Sequence, residues 1–184
     1  MRGLASVTAF VVLAPVLAWA QSPGGDAWVQ EIAERAPALQ QRGDYAAAVR
    51  EIDGGLARCG PSAAPARCRA VLNYTAGYVA GQEAAGKGVD RDRGRALRTW
   101  AVAAYGRVLG DEPRHAATIR AMVRLHMEEG ATDAAAAVIL AVPSPARASF
   151  EGDLGDVYVA AQKPREAIAA YERALDAAPP TAAL

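Results

Sequence analysis

Apolar residues return every three or four positions along most of the chain, and the clearest case is Ala167, Ile168, Tyr171, Ala174 and Leu175. Their spacing of i, i+1, i+4, i+7 and i+8 predicts one stripe of an α-helix. Pro164 stands in its first turn, where a missing N–H costs nothing, and Pro179-Pro180 closes it. Upstream, Phe150, Leu154, Tyr158 and Ala161 form a second stripe, joined to the first by a polar turn at Gln162 and Lys163. Two amphipathic helices with so tight a turn predict an antiparallel hairpin.

The same plan can be read three more times. Trp28, Ile32, Ala36 and Leu39 precede a turn at Gly43-Asp44, and Tyr45, Ala48, Val49, Ile52 and Leu56 follow it. Val71, Tyr74 and Tyr78 pair, over a longer connection, with Leu97, Ala101, Tyr105 and Val108. Ile119, Met122, Val123 and His126 turn at Gly130 into Ala135, Val138 and Ile139. No run alternates with the period of a strand, so the expected fold class is all-α.

Residues 151–179 reproduce the spacing of Leu154, Gly155, Tyr158, Ala167, Tyr171, Ala174 and Pro179 that resembles the tetratricopeptide repeat. Small Gly155 and Ala167 let the two helices approach, while Tyr158 and Tyr171 fill the gaps beside them. The departure is Glu151, where a large aromatic is expected, with Phe150 beside it. Gly43-Asp44-Tyr45 with Ala48, and Gly130 with Ala135, keep the turn and the small-residue position, whereas Gly54 and Gly55 depart and should loosen their helix. In the second unit Gly86, Gly88, Val89, Asp92, Ala96, Trp100 and Ala103-Ala104 resemble the Sel-like variant, whose internal turn is longer. The resemblance covers about residues 28–180 and implies a short right-handed α-solenoid of about four hairpins, at about 28–61, 64–113, 114–145 and 146–180, with 181–184 as a tail.

The first twenty residues are set apart: after Arg2 an apolar and small stretch runs from Gly3 to Ala20 without an acidic residue. Its end, Ala18-Trp19-Ala20, fits a small-x-small cleavage pattern, so 1–20 is expected to be a secretory signal and 21–27 a linker. An uncleaved anchor is the alternative, against which stand the short apolar run and its interruption by Pro15. Removing the leader takes away Arg2 alone and leaves 19 basic against 20 acidic residues, a balance without bulk attraction for nucleic acid. In an exported chain Cys59 and Cys68, separated by a loop-like Gly60-Pro61-Ser62-Ala63-Ala64-Pro65-Ala66-Arg67, are expected to form a disulfide. A structural zinc site needs four ligands, and no histidine sits near this pair.

Little in the sequence points to catalysis. His115 and His126 are eleven apart and cannot make the i, i+4 pair of a helical metal site; His126 falls where a packing aromatic belongs. Asp90-Arg91-Asp92-Arg93-Gly94 superficially suggests a calcium loop, yet its glycine is one place early and Ala101 stands where a bidentate glutamate is required, so it reads as a solvated turn. No nucleophile elbow or phosphate-cradling loop appears, and no cofactor or metal is expected.

The resemblance implies instead that the first helix of each hairpin lines an inner groove. Carried over by spacing, its candidates are Gln30 and Gln40 in the first unit and Arg69 and Leu72 in the second; the third supplies Arg120, Arg124 and Met127, and the fourth Asp156. Arg120 and Arg124 share a helix face and suit a carboxylate or an acidic segment, whereas the asparagine and lysine set of chaperone-adaptor carboxylate clamps is not reproduced. The expected function is therefore a periplasmic or secreted, non-enzymatic scaffold that binds a protein or peptide, with no nucleic-acid partner and no stable membrane insertion once the signal is removed. A structural subunit of an envelope assembly, which would self-associate, is the alternative, motivated by the lack of a polar capping helix after Pro180. A hydrolase on a Sel-like scaffold is a third reading, with no catalytic residue to carry it.

Overall fold

Every tight hairpin turns on one residue with left-handed backbone: Gly43 at φ 84°, Gly130 at 72° and Gln162 at 57°, with Gly88 at 84° in the longer connection. Glycine adopts this region without steric cost, and a single polar residue can occupy it within a turn. The helices that follow open on side-chain caps where the sequence supplies them. Asp44 accepts from the N–H of Ala47 and Asp90 from that of Arg93, both at 2.9 Å, satisfying N–H groups that a helix leaves unpaired.

The computed structural model describes residues 27–62 and 64–177. Eight α-helices and one 3-10 helix are present, with no strand among the described residues. They are α1 (Ala27–Gln41), α2 (Tyr45–Arg58), α3 (Pro65–Ala84), α4 (Arg91–Asp111), α5 (Ala116–Glu128), α6 (Thr132–Leu140), the 3-10 helix (Ala146–Phe150), α7 (Glu151–Ala160) and α8 (Pro164–Ala177). Helices consecutive in the chain pack as pairs, and the chain divides into two compact units, one ending at Glu112 and the other beginning at Pro113. The leader 1–20, most of the linker, Pro179-Pro180 and the tail lie outside the described residues.

In the first unit α3 is the central element. It packs against α1, α2 and α4, and its residues from Ala70 to Ala80 are all buried, so the helix shows no polar side over that stretch. Its two interior polar side chains turn back onto their own helix: Thr75 Oγ1 donates to the carbonyl of Val71 at 3.0 Å and Asn73 Nδ2 to that of Arg69 at 2.8 Å. Gly77 leaves room for the ring of Tyr105 on α4; a β-carbon added there would stand 2.6 Å from Tyr105 Cε1. Cys59, the residue after α2, and Cys68, in the first turn of α3, form a disulfide with their Cα atoms 5.5 Å apart.

The second unit repeats the glycine–tyrosine contact between α7 and α8, where a β-carbon on Gly155 would stand 2.6 Å from Tyr171 Cδ1. Ala167 and Ala170 are the only buried residues of α8. The expected core stripe on this helix is corrected in part, because Ile168 and Leu175 are exposed, while Tyr171 lies against Gly155 with one edge open. It meets α7 through its alanine face and the ring of Tyr171. Phe150 fills the aromatic role at the start of this hairpin, and Glu151, though buried, is tied to Arg173 Nη2 at 2.9 Å and to Arg147 Nε at 3.6 Å. A buried carboxylate is tolerated when cations and hydrogen bonds surround it.

Candidate binding site

The groove candidates all lie on the first helices of their hairpins: α1 for Gln30 and Gln40, α3 for Arg69 and Leu72, α5 for Arg120, Arg124 and Met127, and α7 for Asp156. Leu72 is a correction, since it is fully buried and its Cδ1 lies 2.8 Å from where a β-carbon on Gly55 would sit. It belongs to the core because α1, α2 and α4 surround α3. Met127 is half-buried.

The polar members are engaged within the protein. Gln30 donates to Glu34 at 3.1 Å and Gln40 to Glu83 at 3.2 Å, while Arg69 faces Asp111 at 3.6 Å. Asp156 accepts from the hydroxyl of Tyr171 at 2.7 Å, which holds that phenol above its ordinary pKa. Arg124 makes an i, i+4 pair with Glu128 at 3.8 Å. Arg120 reaches farther: Nε donates to Asp153 at 3.1 Å, Nη2 to the carbonyl of Ser149 at 3.4 Å, and the guanidinium lies 5.1 Å from the Phe150 ring centre. Its neighbours on α7 and the 3-10 helix make Arg120 a strut within the second unit.

A binding-shaped feature that sequence patterning does not anticipate lies in the first unit. Helices α2 and α4 each pack on α3 and scarcely touch one another, which leaves a cleft above α3. Tyr45, Val49 and Asp53 line it from α2, and Arg93, Ala96, Leu97 and Trp100 from α4, around a volume of about 380 Å³. Two aromatic side chains and three aliphatic ones supply apolar surface, with Asp53 and Arg93 bringing opposite charges. Arg93 is itself held by Glu83 at 3.1 Å, and burial, aided by the charge of Glu83, raises the pKa of Tyr45. A few polar groups around an apolar hollow are the usual ingredients of a recognition site. The spacing of Tyr45, Val49 and Asp53 by single helical turns is visible in the sequence; that Trp100 faces them is set by the tertiary fold.

A second depression of about 430 Å³ lies between α1 and α2, lined by Ile32, Arg35, Ala47, Arg50, Glu51, Gly54, Gly55 and Arg58. Arg35 is paired with Glu51, which raises its pKa, and Arg58 stacks 4.1 Å above the Trp28 ring. His115 caps α5, its Nδ1 accepting from the N–H of Thr118 at 3.3 Å, and His126 is half-buried on the same helix. Among the described residues no group of acidic, histidine and cysteine side chains is arranged to hold a metal ion, and no helix is long and apolar enough to cross a membrane.

Sequential antiparallel helical pairs, left-handed turn residues and glycine–tyrosine contacts between paired helices define an α-helical hairpin-repeat protein. A family model for the tetratricopeptide repeat-like domain matches residues 90–183, slightly more than half the chain. The protein belongs to this tetratricopeptide repeat-like family. Neither the curated proteins nor the solved structures yield a match.

Proposed function

We propose that the protein is an exported, non-enzymatic scaffold that binds a protein or peptide segment through preformed surfaces of its helical hairpins. The observation that carries this reading is the aromatic cleft between α2 and α4. Its walls belong to regular helices, so a ligand side chain enters a hollow that is already shaped and little ordering entropy is lost. The family supports protein interaction as the general role, with tetratricopeptide-type arrays as the precedent. The partner presents an apolar or aromatic anchor to Tyr45, Val49, Leu97 and Trp100, and polar groups to Asp53 and Arg93. On the inner helices, Arg124 and half-buried Met127 offer a secondary contact of the same mixed character, while Gln30, Gln40, Arg69, Arg120 and Asp156 contribute once they exchange their internal partners.

Export is supported by the apolar leader ending at Ala18-Trp19-Ala20 and by the Cys59–Cys68 disulfide, a bond that persists in oxidising compartments. The Sel-like reading of the second hairpin draws support from its long arms, 20 residues in α3 and 21 in α4, against 10 in α7 and 14 in α8, and from Gly88 in its connection.

A photoreactive side chain at Val49 tests the scaffold reading in cells that export the protein. Discrete adducts with another protein are expected from Val49, and they should be lost when Trp100→Ala is added. Their absence, or adducts indifferent to Trp100→Ala, would refute a partner bound in the cleft.

A further inference from the structure

The outward side of α8 carries a regular apolar stripe. Pro164, Ile168, Tyr171 and Leu175 follow one another at steps of four, three and four residues, the spacing of a coiled-coil seam. The larger members are open to solvent: Ile168 is 59% exposed, Leu175 75% and Tyr171 37%. Tyr171 is fixed in place, its ring against Gly155 and its hydroxyl on Asp156, so its outer edge is presented without further ordering. The hairpin itself leaves Ile168 and Leu175 uncovered, because α8 meets α7 through Ala167, Ala170 and the inner face of Tyr171.

The charges beside the stripe identify what fits it. Arg165 and Glu172 are seven residues apart, hence on the same flank of the seam, and both are exposed without an ion-pair partner among the described residues. Two copies of α8 laid parallel and in register would set Arg165 and Glu172 beside the positions of Ala167 and Ala174 of the second copy, where no ion pair can form. Laid antiparallel, each Arg165 meets Glu172 of the second copy, and both pairs form at once. In that register Ile168 meets Tyr171 of the second copy, and Pro164 meets Leu175. The seam is therefore complementary to itself in one direction only.

We infer that the outer face of α8 is a self-association surface that joins two copies of this chain about a two-fold axis, with their α8 helices antiparallel. Such an interface is isologous and closes at two subunits. A 14-residue helix spans about 21 Å, so the buried surface falls near the lower limit for specific association and the expected dimer is a concentration-dependent one. The inference uses only the second unit and stands apart from the cleft between α2 and α4.

Sedimentation velocity of protein expressed from the full chain, from about 1 to 500 μM, tests it. The parent is expected to pass from monomer to dimer over this range. Leu175→Lys should leave a monomer with an unchanged melting curve, since the side chain makes little contact within the hairpin. Arg165→Glu should weaken the dimer about tenfold by placing like charges across the seam, and Glu172→Arg should do the same. The double variant Arg165→Glu/Glu172→Arg should regain the parent's affinity, because reversing both charges restores both pairs. A parent that stays monomeric to 500 μM overturns the inference. So does a dimer indifferent to Leu175→Lys, or a double variant no tighter than the two single ones.

Discussion

The ring of Tyr171 occupies the space that a side chain on Gly155 would need, and Tyr105 stands in the same relation to Gly77. In both hairpins a glycine of the first helix lets an aromatic of the second lie against bare backbone. Alanine at either position must displace the ring, so each substitution should cost about 1–3 kcal/mol despite the better helix propensity of alanine. Gly77→Ala should be the more damaging, because Tyr105 is buried whereas Tyr171 has an exposed edge and somewhere to move. Urea unfolding of the two variants checks the order.

Adjacent Gly54 and Gly55 should respond in opposite senses. A β-carbon on Gly54 meets nothing within 4 Å, so Gly54→Ala should stabilise by about 0.5–1 kcal/mol through reduced unfolded-state entropy and better helix propensity. On Gly55 it would stand 2.8 Å from the terminal carbons of Ile32 and Leu72, both buried, so Gly55→Ala should destabilise. Equal shifts in melting temperature would mean that α1 does not approach α2 at this point.

These contacts mark how much of the molecule could be read from its sequence. The fourth hairpin was legible down to Gly155, Ala167 and Tyr171, because a short turn keeps both helices in a recognisable register. The corresponding pair Gly77 and Tyr105 was not, although a glycine on the first helix and a tyrosine on the second was the signal available. The longer connection through Gly88 hides the register, and a helix buried on all sides offers no stripe from which to fix it. For the same reason Leu72 was expected at a groove and lies in the core. The engagement of Arg120 with Asp153, like the meeting of Trp100 with Tyr45 across a cleft, depends on packing between separate elements, which local periodicity does not encode.

The two arginines of α5 should separate in stability measurements. Arg120→Ala removes the contacts to Asp153, Ser149 and Phe150 and should cost up to about 1 kcal/mol, a modest figure because the side chain is half-exposed. Arg124→Ala loses only an exposed i, i+4 pair and should stay within about 0.5 kcal/mol of the parent. Chemical denaturation at low and high salt checks both values. Identical losses would argue against the strut.

Acid should loosen α5 through His115. Burial lowers its pKa below the ordinary 6.5, and its neutral Nδ1 accepts the N–H of Thr118. With the folded pKa depressed, the unfolded chain binds the proton more readily, so this contribution is complete well above pH 6.5 and declines as pH falls through that value toward the folded pKa. His115→Asn keeps a capping acceptor without this titration and should remove the histidine's share of the decline between about pH 7.5 and 5.5. An unaltered pH profile in this variant would show that the ring is not the responsible group.

The bond between Cys59 and Cys68 also governs what a protease would leave behind. Gly60 and Pro61 form an exposed turn enclosed by the bridge, so cutting there opens the backbone without separating α1 and α2 from the rest of the chain. The nicked molecule keeps its mass except for one added water, and its fragments part on an electrophoresis gel only after reduction. Intact migration under non-reducing conditions is therefore no sign that this loop has escaped cleavage.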